Sequence, residues 1–576
     1  MNQKLENILN VSLDATEDEL RKADSLSTGY NWRDNTWEII VKYSGSLESI
    51  RNRYNVYIKE LLNYYAIIVA DKATIELISQ EDVIDYVEKP KSLYYQIERT
   101  KTAACVGSVR ADGNILSGKG VIVGVIDTGI DIFDNAFRNS DGTTRILNIY
   151  DQTTGEKYDK QSIDEYIKLN EDLSGGTFSY DNAPGVDNIM HGTDVSYIAA
   201  GSLGVAYEAD IIAVKMGYSI NNQFPRTTSL MDAIDYIIRK AIEYRKPVAV
   251  NISYGCNYGA HNGNTLLESF IDDISKSYRC VICVGSGNEA DKAIHFGGII
   301  NTGQVQTAYL SVGEYQSAID IQIWKNYWDT IDVMLINPRG EQIGIITEGR
   351  INRYETYNTE IITLLGEPSP YNIYQEIYIN LIPKTDYILS GIWQIVLMAG
   401  SIRAGEYNIW LPSSQALGYA TAFNNPTADG TITIPATARN CIAVGAYNAY
   451  TNSYAAFSGR GFDNSIRNVN AGVKPDITAP GVDISIARQR GNDITYRNVT
   501  GTSYAVPVVT GAAALLMQWG IVMGNDRFMY GEKLKAALID GSKPVGLAGI
   551  TGNDNHPDPR TGWGAVCLMN TLNKIL

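Results

Sequence analysis

Basic residues are in the minority: 48 Lys and Arg against 64 Asp and Glu leave a formal net charge of −16. A nucleic-acid binder needs clustered cations for phosphate contacts, so that class is excluded. Long apolar runs are also missing, and none approaches the ~18 residues of a membrane span. The opening MNQKLENILN lacks the basic-then-apolar pattern of a secretion signal. These two absences lead us to expect no membrane span and a cytoplasmic protein. The six cysteines (105, 256, 280, 283, 441 and 567) form no metal-like cluster. Cys280 and Cys283 have CxxC spacing but lie in the strand-like RCVICVGSGN, so they read as core thiols. His261, His295 and His556 have no metal-ligand spacing and read as structural or exposed. Internal repeats and low-complexity linkers are absent as well.

What remains is an ordinary globular composition, 44% apolar and 19% charged, rich in Tyr at 38 residues. A chain of 576 residues outgrows one core and predicts two or three domains. Residues 1–35 are polar and helix-prone, with no clear contribution to a core. TWEIIVKYSG, LESIRNRYN, YYAIIVAD, ATIELISQEDV and IDYVEK then alternate strand and helix, a small α+β unit. PKSLYYQIERTKTAA follows as a flexible-looking stretch. Near-continuous apolar runs come next: GVIVGVID, DIIAVKM, VAVNIS, CVICVGSG and CIAVGAYN. The helical patterns SLMDAIDYIIRKAIEY and SYAVPVVTGAAALLMQW lie among them. Both-face burial produces such runs in central parallel strands, so a doubly wound, mostly parallel α/β sheet is expected. Between about Gly298 and Pro426 the helical period gives way to short alternating stretches such as AIDIQIWK and EYNIWLP. That predicts an inserted antiparallel β-sandwich or jelly roll. The expected units are 1–96, then 97–298 with 427–576, interrupted by 299–426.

Three residues stand at element ends. Asp127 closes GVIVGVID, His191 opens HGTDVSYIAAG, and Ser503 opens an apolar helix in GTSYAVPVVTG. Hydrolysis of an amide by serine needs a hydroxyl, an imidazole to take its proton and a carboxylate to orient that imidazole. Helix N-termini also leave backbone N–H groups free to meet developing negative charge. Each motif alone has a plainer reading as turn, cap or small-residue helix start. Their joint order is much harder to explain that way.

VIDTGID (125–131), HGT (191–193), NISYG (251–255), VGSGNEA (284–290), KPDITAPG (474–481) and GTSYAVP (501–507) together resemble the subtilase family of serine proteases. The resemblance implies a catalytic triad of Asp127, His191 and Ser503. It implies an oxyanion hole made by the Asn288 side chain and the Ser503 N–H. It also implies a substrate-binding wall of Ser253, Tyr254 and Gly255, with Gly285 and Glu289 beside the oxyanion loop. Glu289 is expected at the rim of the S1 pocket, mildly favouring a cationic residue. The chain departs from the family's HGTHVAG at Asp194 and Tyr197, and has Val508 where a His usually follows the Pro of GTSxAxP. Asp194 reads as a first-turn carboxylate. Subtilases often carry structural calcium, but no Asp-rich loop here argues for it; the expectation is no metal and no cofactor.

The layout further resembles the clostridial germination-specific Csp proteases. In that family the prodomain acts as an intramolecular chaperone and can remain as a bound inhibitor, and a jelly roll interrupts the protease domain. Active members cleave the pro-form of a spore-cortex hydrolase. The resemblance implies a prodomain over 1–96, a protein or peptide substrate, and packaging into spores. KSLYYQIER would lie in the cleft as the first substrate, with autocleavage at Gln96–Ile97. Two alternatives stand beside this reading: a general bacterial subtilase without a spore role, and a prodomain-occluded subtilase used for binding or signalling.

Overall fold

The computed structural model describes residues 2–92, 94–95, 116–172, 182–217, 224–344, 346, 349–367, 369–462, 472–490, 493–546 and 557–575. Its centre is a mostly parallel sheet built on the strand Ile122–Asp127, buried at every position. Asp210–Lys215 lies parallel on one side of it and Val248–Ile252 on the other. The sheet continues through Cys280–Gly285, Ile442–Asn448 and Ile477–Pro480 in one direction, and Ile146–Asp151 in the other. Alternate residues of the central strand serve opposite faces. Val123 and Val125 join a core with the helices His191–Ala200 and Thr502–Met517. Ile122 and Ile126 pack with Thr227–Tyr244 and Leu266–Ser277. The chain runs outward to Ile146–Asp151, returns, and crosses to Val248–Ile252, so Ile122–Asp127 is the point where strand order reverses. A crevice forms at the carboxyl end of such a strand. The architecture is the doubly wound one expected.

The helix that starts at Thr502 is longer and more apolar than the reading of apolar runs allowed. Thr502–Val522 is long and apolar enough to cross a membrane by composition, but 89% of its most apolar window is buried inside the molecule. It is a core helix.

The N-terminal unit is an antiparallel sheet of Thr36–Tyr43, Tyr57–Leu61, Tyr65–Ala70 and Ile84–Glu88, with helices Glu48–Tyr54 and Lys72–Ile78. One face of that sheet (Ile40, Leu61, Tyr65, Ile67, Tyr86) packs on the two helices Thr227–Tyr244 and Leu266–Ser277. Polar seams reinforce the contact: the Leu62 N–H donates to Asp235 at 3.0 Å, and the Leu266 N–H donates to Glu88 at 2.8 Å. Residues 1–35 need a correction, because they do build a core. Leu5, Ile8, Leu9, Val11, Leu13, Leu20 and Leu26 are buried against Ile362, Leu364, Tyr378 and Ile382 of the insertion. Their helical spacing was present in the sequence, but the cluster that covers them joins the N-terminal unit's own sheet to strands more than 330 residues away.

The insertion is a sandwich of two antiparallel sheets. One runs His295–Ile299, Glu406–Trp410, Ile319–Asn326, Tyr374–Pro383, Thr359–Leu365, Ile351–Glu355; the other is centred on Val305–Val312, Gly391–Ala399 and Ile331–Ile336. Its first strand begins at His295, a few residues before the boundary read from the sequence. Tyr374–Pro383 is buried at all ten positions because the sandwich interior covers one face and the N-terminal helices the other. Trp410 lies stacked between His295 and His261, with ring centroids at 4.9 and 4.2 Å. His261 belongs to the α/β unit, so this stack joins it to the sandwich. Burial pushes both imidazoles down to about 4.

Candidate active site

Asp127 ends the central strand in the crevice. Its Oδ1 accepts from the Thr128 N–H at 2.8 Å and lies 2.6 Å from His191 Nδ1. Both side chains are buried. The His191 helix can come this close because residue 192 is glycine: a Cβ there would stand 2.3 Å from the Gly129 carbonyl oxygen and 2.9 Å from the Asp127 Cβ. A residue missed in the sequence, Asp187, holds the start of that helix. Its carboxylate accepts from the Met190 N–H (2.8 Å), the Thr193 N–H (2.8 Å), and the hydroxyls of Thr193 and Thr128 (2.7 Å each). The Thr128 hydroxyl accepts from the Gly192 N–H at 2.9 Å. An Asp shortly before a helix was the available signal.

Burial on its own would lower the affinity of His191 for a proton. The charge and hydrogen bond of Asp127, with Asp194 and Asp187 behind, outweigh burial and raise it above the ordinary value. Ser503 lies in the first turn of Thr502–Met517, the helix packed against the His191 helix. Tyr504 sets its ring 5.2 Å from that of His191. Gly501 precedes the turn with φ of 145°, a backbone state suited to glycine.

Asn288 follows the strand Cys280–Gly285, whose last residue, Gly285, is buried. Its Oδ1 accepts from the N–H and the hydroxyl of Thr502, both at 3.1 Å. Its Nδ2 is buried and makes no hydrogen bond among the described residues. Fixing the oxygen in this way presents the amide N–H groups as free donors beside Ser503. Ser253 accepts from Asn251 at 3.0 Å and donates to the Ser503 carbonyl at 3.3 Å. Tyr254–Gly255 forms a short strand beyond it.

That short strand is occupied. Tyr94–Tyr95 pairs antiparallel with it, Tyr95 opposite Tyr254 and Tyr94 opposite Gly255. The segment is anchored just upstream, where the Thr227 N–H donates to the Lys91 carbonyl at 2.7 Å and the Lys91 N–H to the Thr227 hydroxyl at 2.8 Å. Gln96 and Ile97 lie outside the described residues, as do Cys105 and His556. The other five cysteines are free and buried.

Glu289 requires a correction. It is not a charge at a solvent rim: only 7% exposed, it accepts from the Ser414 N–H at 3.1 Å and the Ser414 hydroxyl at 3.2 Å. Burial raises its carboxyl to about 7. It ties the oxyanion loop to the segment leaving the insertion. No group of three or more His, Cys, Asp or Glu among the described residues is arranged to hold a metal ion.

The subtilase family profile matches residues 118–368 and 404–564, which carry every motif above. The chain belongs to the subtilase family. Its residues 3–91 match the Csp protease B prodomain. Among solved structures, the subtilase from Clostridium perfringens, CspB protease, is 34% identical with a TM-score of 0.74, covering 82% of this chain and 96% of that one. Curated relatives include the Saccharomyces cerevisiae subtilase-type proteinase RRT12, 33% identical over 128 residues, and Arthroderma otae subtilisin-like protease 10, 34% identical over 120. The chain spans about a quarter of the length of these two, 23% and 27%. The Tyr254–Gly255 strand is therefore paired by residues that lie just beyond the segment matching that prodomain.

Proposed function

We propose that the chain cleaves peptide bonds through Asp127, His191 and Ser503, and that its first substrate is its own prodomain tail. The observation that carries this is the 2.6 Å Asp127–His191 contact at the carboxyl end of the central strand, with the Ser503 helix packed on the His191 helix. Asp127 accepts the Nδ1 proton and leaves Nε2 as the basic nitrogen. Nε2 takes the Ser503 proton while Oγ attacks the carbonyl carbon. The oxyanion accepts from Asn288 Nδ2 and the Ser503 N–H. His191 then protonates the leaving amine, and a water hydrolyses the acyl-enzyme by the same route. These steps use side chains and backbone alone, and no cofactor is proposed.

Tyr95 pairs with Tyr254, and the neighbouring Ser253 donates its hydroxyl to the Ser503 carbonyl. That supports cleavage of Gln96–Ile97. N-terminal sequencing of the purified chain should find Ile97, and Ser503→Ala should stay a single uncut chain. An uncut wild-type chain, or an equally processed variant, would overturn the proposal.

The likeness to the Csp protease B prodomain and to the C. perfringens enzyme supports a finer reading, proteolytic activation of a spore-cortex hydrolase in a cytoplasmic or spore-packaged enzyme. Incubation with the pro-form of such a hydrolase tests it. No cleavage, with small peptides still hydrolysed, would leave a general subtilase. The tail paired with Tyr254–Gly255 favours one second reading, a subtilase kept occluded and used for binding. Labelling of Ser503 by a fluorophosphonate would exclude it.

A further inference from the structure

Asp194 and Tyr197, two of the three departures from the family pattern in the His191 helix, meet the same partner. The partner is the hairpin of Ile484–Arg490 and Asp493–Val499, which leads through Thr500 and Gly501 into the Ser503 helix. Asp194 has no solvent exposure. Arg488 bonds it with Nε at 3.1 Å and with a second guanidinium nitrogen, and that nitrogen also donates to the Met190 carbonyl at 2.9 Å. Arg497, on the opposite strand, comes within 3.3 Å of the other carboxylate oxygen. The Tyr197 hydroxyl meets the backbone of Ala487, beside Arg488. Ile484, Ile486 and Val499 share one apolar core with Tyr197.

A buried carboxylate gripped by two guanidinium groups is directional and hard to replace. Here one end of the grip sits a turn after the proposed base, and the other sits on the strands entering the proposed nucleophile's turn. We propose that Asp194, held by Arg488 and Arg497, is a positioning residue that fixes the His191 helix against the hairpin leading into Ser503. In doing so it sets the reach between base and nucleophile. This rests on the triad reading above. A misplacement of about 1 Å in such a site costs on the order of 10²-fold in rate.

The charged and titratable groups facing His191 are Asp127 from the central strand, Asp187 from the preceding loop, Asp194 on its own helix and Tyr504 from the Ser503 helix. Those facing Asp194 are Arg488, Arg497, His191 and Tyr504. Asp194→Asn removes a negative charge beside His191 and leaves two cations uncompensated, so both changes push the imidazole midpoint down. The chain has only four histidines, which makes histidine-selective labelling and NMR titration a practical readout.

In Asp194→Asn the His191 midpoint should fall and kcat on a peptide substrate should drop about 10- to 100-fold with KM little changed. Arg488→Lys keeps the charge but loses the planar fork. Its midpoint should hold while kcat falls severalfold. An unchanged midpoint and unchanged kcat in Asp194→Asn would overturn the proposal. If that variant does not fold, Arg488→Lys decides: wild-type kcat refutes it, and a kcat loss at constant KM and constant midpoint supports it. Failure of the triad reading shows elsewhere, as activity that survives in Ser503→Ala.

Discussion

At the scale of single residues, the site depends on which atoms are left without partners. Asn288 spends its oxygen on Thr502 and keeps its buried Nδ2 free. Asn288→Ala should therefore lower kcat about 10²- to 10³-fold with KM little changed, by steady-state kinetics, and lower the melting temperature as Thr502 loses its acceptor, by calorimetry. Glu289 makes a different prediction. Its carboxyl lies near 7 when folded against an ordinary 4.5, because burial disfavours the charge. The folded state thus holds the proton more tightly. The stabilisation is complete below about 4.5 and is lost as pH rises through 7. Glu289→Gln retains an acceptor for the Ser414 N–H and a donor for its hydroxyl, so melting temperatures should lose that part of their slope between pH 4.5 and 7. An unchanged slope would show that the carboxylate is solvated. Asp127, His191 and Ser503 could be picked out of the sequence because each closes or opens a recognisable strand or helix, and Asn288 through the family resemblance carried by VGSGNEA. Asp187 could not, since a capping aspartate resembles any loop aspartate until its four donors are in place. Glu289 was misplaced because its covering residue, Ser414, belongs to the insertion.

At the scale of elements, legibility followed burial. Ile122–Asp127, Val248–Ile252 and Cys280–Gly285 are covered on both faces, so their apolar runs were unbroken and could be read directly. The 484–499 hairpin was not anticipated, because ISIARQRGNDITYRNV is polar and two of its charges are spent on Asp194. The first helices were seen as helices and judged coreless, because their apolar side chains fill a cluster shared between the N-terminal sheet and a strand pair from the insertion. Leu9 is fully buried in that shared cluster. Leu9→Ala should destabilise the full chain by about 2–5 kcal/mol in urea unfolding. A change well under 1 kcal/mol would mean that the helix does not contribute to a common core.

At the scale of the whole molecule, three units meet pairwise and none packs on only one other. The prodomain uses one sheet face on the α/β unit and its N-terminal helices on the insertion, while Trp410 and its two histidines join insertion to α/β unit. Those histidines make the joint acid-sensitive. Both are held near 4 by burial, against an ordinary 6.5. Unfolded chain therefore takes up protons first as pH falls below 6.5, and the neutral pair's contribution is lost between 6.5 and about 4. By histidine-selective NMR, both signals should stay neutral down to pH 5. Titration of either near 6.5 in the folded protein would contradict the buried stack.

The tail at Tyr94–Tyr95 is moored at Lys91 to the Thr227 helix, and the body behind it is gripped from two sides. Cutting the chain beyond residue 95 severs none of these moorings. Clearing the cleft is then a local peeling of a few residues, a unimolecular event whose rate ignores protein concentration. Dilution, which liberates an ordinary inhibitor, has no purchase on it. A competing strand can reach the edge at Tyr254 and Gly255 only after that short pair lets go.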